Sequence, residues 1–224
     1  MYQETPFYRA LTGGDYPIIV SLARHDLDLA KAALDAGATA LKTHLNAFHR
    51  ATGTTFGSFV EERPFFEELS RLGCPLLVMA GQETVPSAEE MTALAALGFE
   101  GFNVYVDHMQ PHLLQSPLRP MPALSATSTP DDVTRIAAMS GCIIEASIMP
   151  FERYRTAMTD ADLDRYADVV RAVDVPVIVP SQLALTPGDA KRLRQAGIAA
   201  PLLGAIVTGD TPQSMQAAVS TFAL

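Results

Sequence analysis

The segment 175–212 reads VPVIVPSQLALTPGDAKRLRQAGIAAPLLGAIVTGDTP and contains two short apolar runs separated by an amphipathic stretch. The runs, Val175–Pro180 and Pro201–Ile206, have the continuous apolar character of strands that are buried on both faces. Between them, Thr186 and Pro187 supply an N-cap hydroxyl and a proline at the first helical position, and Gly197 favours a helix end. The pattern predicts β–α–β units of a parallel sheet.

The same unit recurs towards the N-terminus, with helix-start signals before the amphipathic stretches and a glycine before several strands. The six further predicted strands are Pro17–Ala23, Ala38–His44, Pro75–Ala80, Gly101–Val106, Met121–Ala126 and Cys142–Met149. The further helix starts are Ser87 with Glu90, Thr129-Pro130 and Thr211-Pro212. No linker divides the 224 residues, and a barrel of this kind takes about 250 residues. We therefore predict an α/β fold with one domain over residues 1–224, a (βα)8 barrel.

The composition excludes several functional classes. The formal net charge is −9, whereas nucleic-acid binding needs a basic stripe, so we expect no nucleic-acid partner. No apolar run approaches about 18 residues, so we expect no membrane span. Cys74 and Cys142 lack CxxC spacing, which predicts core thiols in a reducing compartment. Residues 1–10 have no apolar signal core, so the cytoplasm is the expected location.

Charged residues inside two apolar strands carry the functional hypothesis. Lys42 lies in the second predicted strand and Glu145 in the sixth, and each is expensive to bury without a partner. We expect both to point into the barrel mouth and to face each other at the strand ends, where barrel enzymes keep their catalytic groups. The alternative is a purely structural ion pair that fills the barrel.

Three further side chains accompany this pair. His44 shares a face of its strand with Lys42, and Asn103 and Asp107 share a face of the fourth strand. His44 is either an acid or base or a hydrogen-bonded rim histidine. The candidate catalytic residues are Lys42, His44, Asn103, Asp107 and Glu145.

The last two strands predict a phosphate site. Loops after strands seven and eight of a barrel often bind phosphate with a helix N-terminus, which also suits an acidic protein. Gly204 allows close backbone approach, and the amides near Ala205 and Ile206 are the expected donors, with Ser181 and Gln182 beside them.

Two long connections, Asn46–Arg63 and Pro150–Thr159, follow strands on the same side. The first carries His49 and Arg50 among glycines, hydroxyl residues and phenylalanines, which suggests a lid over an anionic substrate; an ordered Ω-loop is the alternative. A metal site built from Asp107, His108 and His112 has no HxxxH pattern with a partner glutamate, so we expect no metal and no other cofactor.

Three segments resemble N-acetylmannosamine-6-phosphate 2-epimerases, which are members of the ribulose-phosphate-binding barrel superfamily. The segments are YPIIVSLA (16–23), VDVPVIVPSQLALTP (173–187) and LLGAIVTGDTPQSM (202–215). The resemblance implies a barrel and a phosphate-binding role for Gly204, Ala205 and Ile206. That family's lysine on strand three and glutamate on strand seven have no counterpart here, so the catalytic roles do not carry over.

The first functional hypothesis is an enzyme that moves a proton next to the carbonyl of a small phosphorylated sugar or keto acid, as an isomerase or epimerase. A second is an aldolase or lyase in which Lys42 forms a Schiff base. The third is a non-catalytic barrel that binds a phosphorylated metabolite. Barrels of this kind often associate, so a homo-oligomer is expected without an identified interface.

Overall fold

The computed structural model describes residue 2 and residues 4–223. Eight parallel strands close into a barrel in the order β1-β10-β9-β8-β7-β6-β5-β2. The barrel strands are β1 (Ile19–Ser21), β2 (Ala40–His44), β5 (Leu76–Met79), β6 (Phe99–Tyr105), β7 (Arg119–Leu124), β8 (Ile144–Ala146), β9 (Val177–Pro180) and β10 (Ala200–Leu203). The predicted barrel is confirmed, and each predicted strand has an observed counterpart.

Helices follow the strands and surround the barrel. They are α1 (Pro6–Gly13), α2 (Leu27–Asp35), α3 (Phe59–Ser70), α4 (Ala88–Ala96), α5 (Pro130–Ala137), α6 (Asp160–Arg171), α7 (Pro187–Gln195), α8 (Ala205–Thr208) and α9 (Pro212–Phe222). The predicted helix starts are confirmed: Ser87 forms a capping box with Glu90, and Thr129, Thr186 and Thr211 each accept a hydrogen bond from a backbone amide. Within the described residues, no helix has both the length and the apolar character needed to cross a bilayer.

The long connection predicted over Asn46–Arg63 is mostly regular structure. It forms a two-stranded antiparallel hairpin, β3 (Ala47–His49) and β4 (Thr54–Phe56), and then enters α3. Ser58 and Glu61 form the capping box that starts this helix. The sequence analysis predicted a long connection here and did not identify the hairpin or the start of α3 at Ser58 within it.

The lower end of the barrel is filled and closed by apolar side chains. Inward-facing residues such as Ile19, Met121 and Ile178 pack there against Phe7 and Leu11 of α1. Because side chains alternate along each strand, the next inward positions lie one layer higher, nearer the C-terminal ends. The polar residues of the barrel interior therefore lie above an apolar floor.

The turn after β5 depends on a glycine. Gly81 has φ of +132°, and a Cβ there would collide with the carbonyl oxygen of Thr84. We predict that Gly81→Ala lowers the free energy of unfolding by about 2 kcal/mol or more, from backbone strain and overpacking. Gly13→Ala is the control, because its Cβ would meet no atom within 4 Å and alanine favours helix. Urea unfolding measures both, and equal stabilities would contradict the turn geometry.

Candidate functional site

A cavity of about 490 Å³ opens at the C-terminal ends of the barrel strands. Its wall contains every residue predicted for catalysis, phosphate binding or the lid. These residues are Lys42, His44, His49, Arg50, Asn103, Asp107, Glu145, Ser181, Gln182, Gly204, Ala205 and Ile206. The residues predicted for the site therefore lie together around one cavity.

An ion pair crosses the lower part of this cavity. Lys42 Nζ lies 2.5 Å from Glu145 Oε2, and the two side chains are 4% and 6% exposed. Lys42 Nζ also donates to Asn103 Oδ1 at 3.2 Å. Ser147 Oγ donates to the other oxygen of Glu145 at 3.1 Å. The two buried charges thus have both a counter-charge and hydrogen-bond partners, as burial requires.

Barrel closure brings the two charges together. β2 and β8 stand opposite each other, since three strands separate them in either direction around the barrel. Side chains of two opposite strands can be in contact only if both point towards the barrel axis. Asn103 holds the arrangement in place, because its Nδ2 donates to the carbonyl oxygen of Met121 at 2.7 Å while its Oδ1 accepts from Lys42.

His44 lies above Lys42 on the same face of β2. Its side chain is buried, and its ring stacks on Phe56 with centroids 4.7 Å apart. Burial is the main cause that holds the pKa of His44 well below its usual range, and repulsion from a protonated His49 and from the Lys42 ammonium adds to the effect. The imidazole is therefore neutral near pH 7.

The hairpin β3–β4 covers one side of the cavity. His49 Nδ1 lies 2.8 Å from Thr52 Oγ1, and burial, followed by the charge of Lys42, lowers the pKa of His49 to about 4. Arg155, in the loop after β8, donates from Nη2 to the carbonyl oxygen of Ala51 at 2.6 Å. The two long connections of the sequence are therefore joined above the cavity, with exposed Arg50 at the turn between β3 and β4.

The predicted phosphate site has two amides available. The amide of Gly204 donates to Ser181 Oγ at 2.7 Å, which uses the Gly204 amide and leaves the Ser181 hydroxyl proton free to donate. The amides of Ala205 and Ile206, at the start of α8, have no acceptor among the described residues. The donors available to an anion in this wall are therefore the amides of Ala205 and Ile206 and the hydroxyl of Ser181.

Gln182 has a structural position beside this wall. Its Nε2 donates to the Tyr154 hydroxyl at 2.7 Å and to the carbonyl oxygen of Ser147 at 3.1 Å, and its Oε1 accepts from the Met149 amide at 3.0 Å. These bonds hold the loop after β8 and leave the Gln182 amide with little capacity for a ligand.

Sequence reasoning placed Tyr105 on the strand face of Asn103 without giving it a role, and it missed Tyr154. Tyr105 and Tyr154 line the cavity, and burial, more than the neighbouring Tyr154 and Glu145, raises the pKa of Tyr105 above its usual range. Tyr105 lies two residues after Asn103 on one strand face, which is the signal for an inward position. Nothing in the sequence indicates Tyr154, because an irregular loop carries it there.

The residues considered for a metal do not form a ligand set. His112 Nε2 is hydrogen-bonded to the carbonyl oxygen of Pro86 at 2.9 Å, whereas Asp107 and His108 lie at the cavity wall. In the described part of the chain, no three or more His, Cys, Asp or Glu side chains are grouped to hold a metal.

Several solved structures superpose on this chain over most of its length. A chain of tryptophan synthase from M. tuberculosis superposes with a TM-score of 0.72 at 14% identity, covering 99% of this chain and 97% of that one. The tryptophan synthase A-subunit from Pyrococcus furiosus gives 0.68 at 12% identity, over 93% and 97%. A thiamine phosphate pyrophosphorylase from Pyrococcus furiosus gives 0.65 at 12% identity, over 95% of each.

The chain shares their barrel fold. No protein-family profile and no curated protein matches the sequence. Membership of the N-acetylmannosamine-6-phosphate 2-epimerase family, implied by the resemblance of three segments, is not confirmed by these comparisons.

We predict strong energetic coupling between Lys42 and Glu145. Lys42→Met and Glu145→Gln should each lower the free energy of unfolding by about 3 kcal/mol or more, because each leaves a buried group without its partner. The double variant should lose less than the sum of the two, by about 1–3 kcal/mol. Chemical denaturation measures the cycle, and exposed Lys31 in α2 provides the control Lys31→Met. Additive losses would show that the two charges do not interact.

Proposed function

We propose that this protein is an enzyme that binds a small phosphorylated carbonyl compound and moves a proton at the carbon next to the carbonyl. The observation that carries the proposal is the Lys42–Glu145 pair across the cavity. Unoccupied amides of Ala205 and Ile206 in the same wall provide the place for the phosphate. One structural neighbour, a thiamine phosphate pyrophosphorylase, is named for a phosphorylated compound, which is consistent with this substrate class.

In the proposed reaction, Glu145 is the base. Its carboxylate takes the proton from the carbon, and the electrons of the broken C–H bond form the enolate. The Lys42 ammonium donates a hydrogen bond to the developing oxyanion, which is where preorganised charge contributes most to rate. Return of the proton to the opposite face of the same carbon completes an epimerisation. Return to the former carbonyl carbon, after the hydroxyl proton on the deprotonated carbon has moved to the enolate oxygen, completes an isomerisation. Asn103 positions the ammonium, and Asp107 lies farther out in the wall.

A Schiff-base reaction at Lys42 is the second candidate. The amine reaches the cavity, and Glu145 at 2.5 Å can accept the proton that the ammonium must lose before it attacks a carbonyl. Borohydride reduction in the presence of a carbonyl phosphate distinguishes the two, since only the Schiff base leaves a stable adduct on Lys42.

Location and assembly are further parts of the proposal. Cys142 is buried and Cys74 is half-buried, and both are free thiols, which suits a reducing compartment such as the cytoplasm. We expect self-association, because barrels of this kind often associate. Analytical ultracentrifugation measures the oligomeric state.

Proton–deuterium exchange tests the reaction. We expect one member of a panel of phosphorylated aldoses, ketoses and keto acids to exchange a C–H proton in D2O, followed by NMR. Glu145→Gln should lower the exchange rate by about 10²–10⁴-fold, the usual contribution of a general base. Glu83→Gln is the control, because Glu83 is exposed outside the cavity. Tight binding of the same compound without exchange or turnover would instead support a binding protein.

A separate variant tests the proposed contact with the phosphate. Ala205→Pro removes one amide donor, while proline suits the first position of α8 and Gly204 is already extended (φ −111°, ψ −176°). We expect glycerol 3-phosphate to bind about 10–100-fold more weakly, since a hydrogen bond to a charged group contributes about 1.5–3 kcal/mol. Calorimetry measures the affinity, and Ala205→Ser is the control that keeps the amide. Equal affinity in the two variants would place the phosphate elsewhere.

A further inference from the structure

His44 lies where a substrate oxygen would meet Lys42. The two residues are separated by one position on β2, so their side chains leave the same face of the strand about 6.6 Å apart. Both line the cavity, and Lys42 holds the deeper position against Glu145. Both side chains therefore face the part of the cavity that lies above the Lys42–Glu145 pair.

The surroundings of His44 disfavour an imidazolium. Its ring is 3% exposed and packs between Phe56 and His49, whose centroids lie 4.7 Å and 4.8 Å away. The charged or titratable groups that act on it are His49, Lys42 and His25, and each positive charge opposes protonation. Within the described residues, no carboxylate is among the groups whose charge shifts the pKa of His44. By contrast, His25 on the outside of β2 is paired with Glu62.

The two ring nitrogens of His44 differ in access. Nδ1 is fully enclosed and has no hydrogen-bond partner in the described chain. The ring nevertheless lines the cavity, so Nε2 is the nitrogen that can meet a ligand. A proton on Nδ1 would be a buried donor without an acceptor, which is rare in proteins. A proton on Nε2 avoids this penalty and gives the cavity a donor.

We propose that His44 is a neutral hydrogen-bond donor whose Nε2–H binds the carbonyl oxygen of the substrate beside the Lys42 ammonium. In this role His44 stabilises the enolate oxygen and never carries the transferred proton, which moves between carbon and Glu145. The inference rests on the proposed function for the identity of the oxygen, but the state of the imidazole is independent of it. It replaces the acid or base role that the sequence suggested for His44.

Nitrogen-15 NMR of the free protein tests the imidazole directly. Two-bond 1H–15N spectra between pH 5 and 9, assigned by loss of the signal in His44→Phe, report protonation and tautomer. We expect His44 to show the neutral Nε2–H pattern throughout. Titration of His44 near pH 6.5, or a proton on Nδ1, would overturn the proposal. The His25 signal in the same spectra serves as an internal comparison.

Two variants test the role in catalysis. His44→Gln keeps a neutral N–H donor at a similar reach, whereas His44→Phe keeps the stack on Phe56 and has no donor. We expect His44→Phe to slow C–H exchange by about 10²–10³-fold, the usual effect of losing one oxyanion donor. His44→Gln should recover at least about tenfold of that loss. Equal losses in the two variants would mean that His44 transfers the proton, and the proposal would fail.

Failure of this proposal is distinguishable from failure of the proposed function. If no carbonyl phosphate exchanges a proton, the proposed function is overturned, and the free-protein spectra alone decide the state of His44. If exchange occurs and depends on Glu145 but His44→Phe matches the unmodified protein, the reaction stands and the donor role of His44 is overturned.

Discussion

The buried ion pair between Lys42 and Glu145 joins the closure of the barrel to the arrangement of the cavity. Taking a lysine and a glutamate out of water costs several kcal/mol for each ion, and that penalty is offset only by close contact and by partners for the remaining polar atoms. The two residues lie on opposite strands of the barrel, so the contact requires the closed sheet, in this register. Asn103 and Ser147 supply the additional hydrogen bonds.

Hydrogen bonds on the outer side of β2 connect this strand to α3. Thr43, whose side chain points away from the axis, lies 2.5 Å from His25 Nε2, and His25 Nδ1 contacts the Glu62 carboxylate. Glu62 also accepts from the Gly57 amide at 2.8 Å, at the base of the hairpin. The strand that carries Lys42 and His44 inward is thereby tied to the first turn of α3. One hydrogen-bonded network therefore connects β2, which carries Lys42 and His44, with α3 and with the end of the hairpin.

The features that the sequence predicted depend on a large energetic penalty or on a local capping signal. The inward placement of Lys42 and Glu145 followed from the penalty for burying an unpaired charge, and the helix starts at Thr129, Thr186 and Thr211 followed from local capping. The short helix α1 and the hairpin β3–β4 were missed although both have local signals: Thr5 is the N-cap before Pro6, and the hairpin pairs residues only five to nine positions apart. By contrast, the hydrogen bond from the Gly204 amide to Ser181 is a contact between two strands that no local pattern reveals.

A crystal structure of the protein grown in inorganic phosphate tests the central claim most directly. We expect tetrahedral density against the amides of Ala205 and Ile206, with Lys42 Nζ within hydrogen-bond distance of Glu145 in the same cavity. Phosphate bound only elsewhere, or Lys42 and Glu145 turned away from each other without a cavity between them, would contradict it.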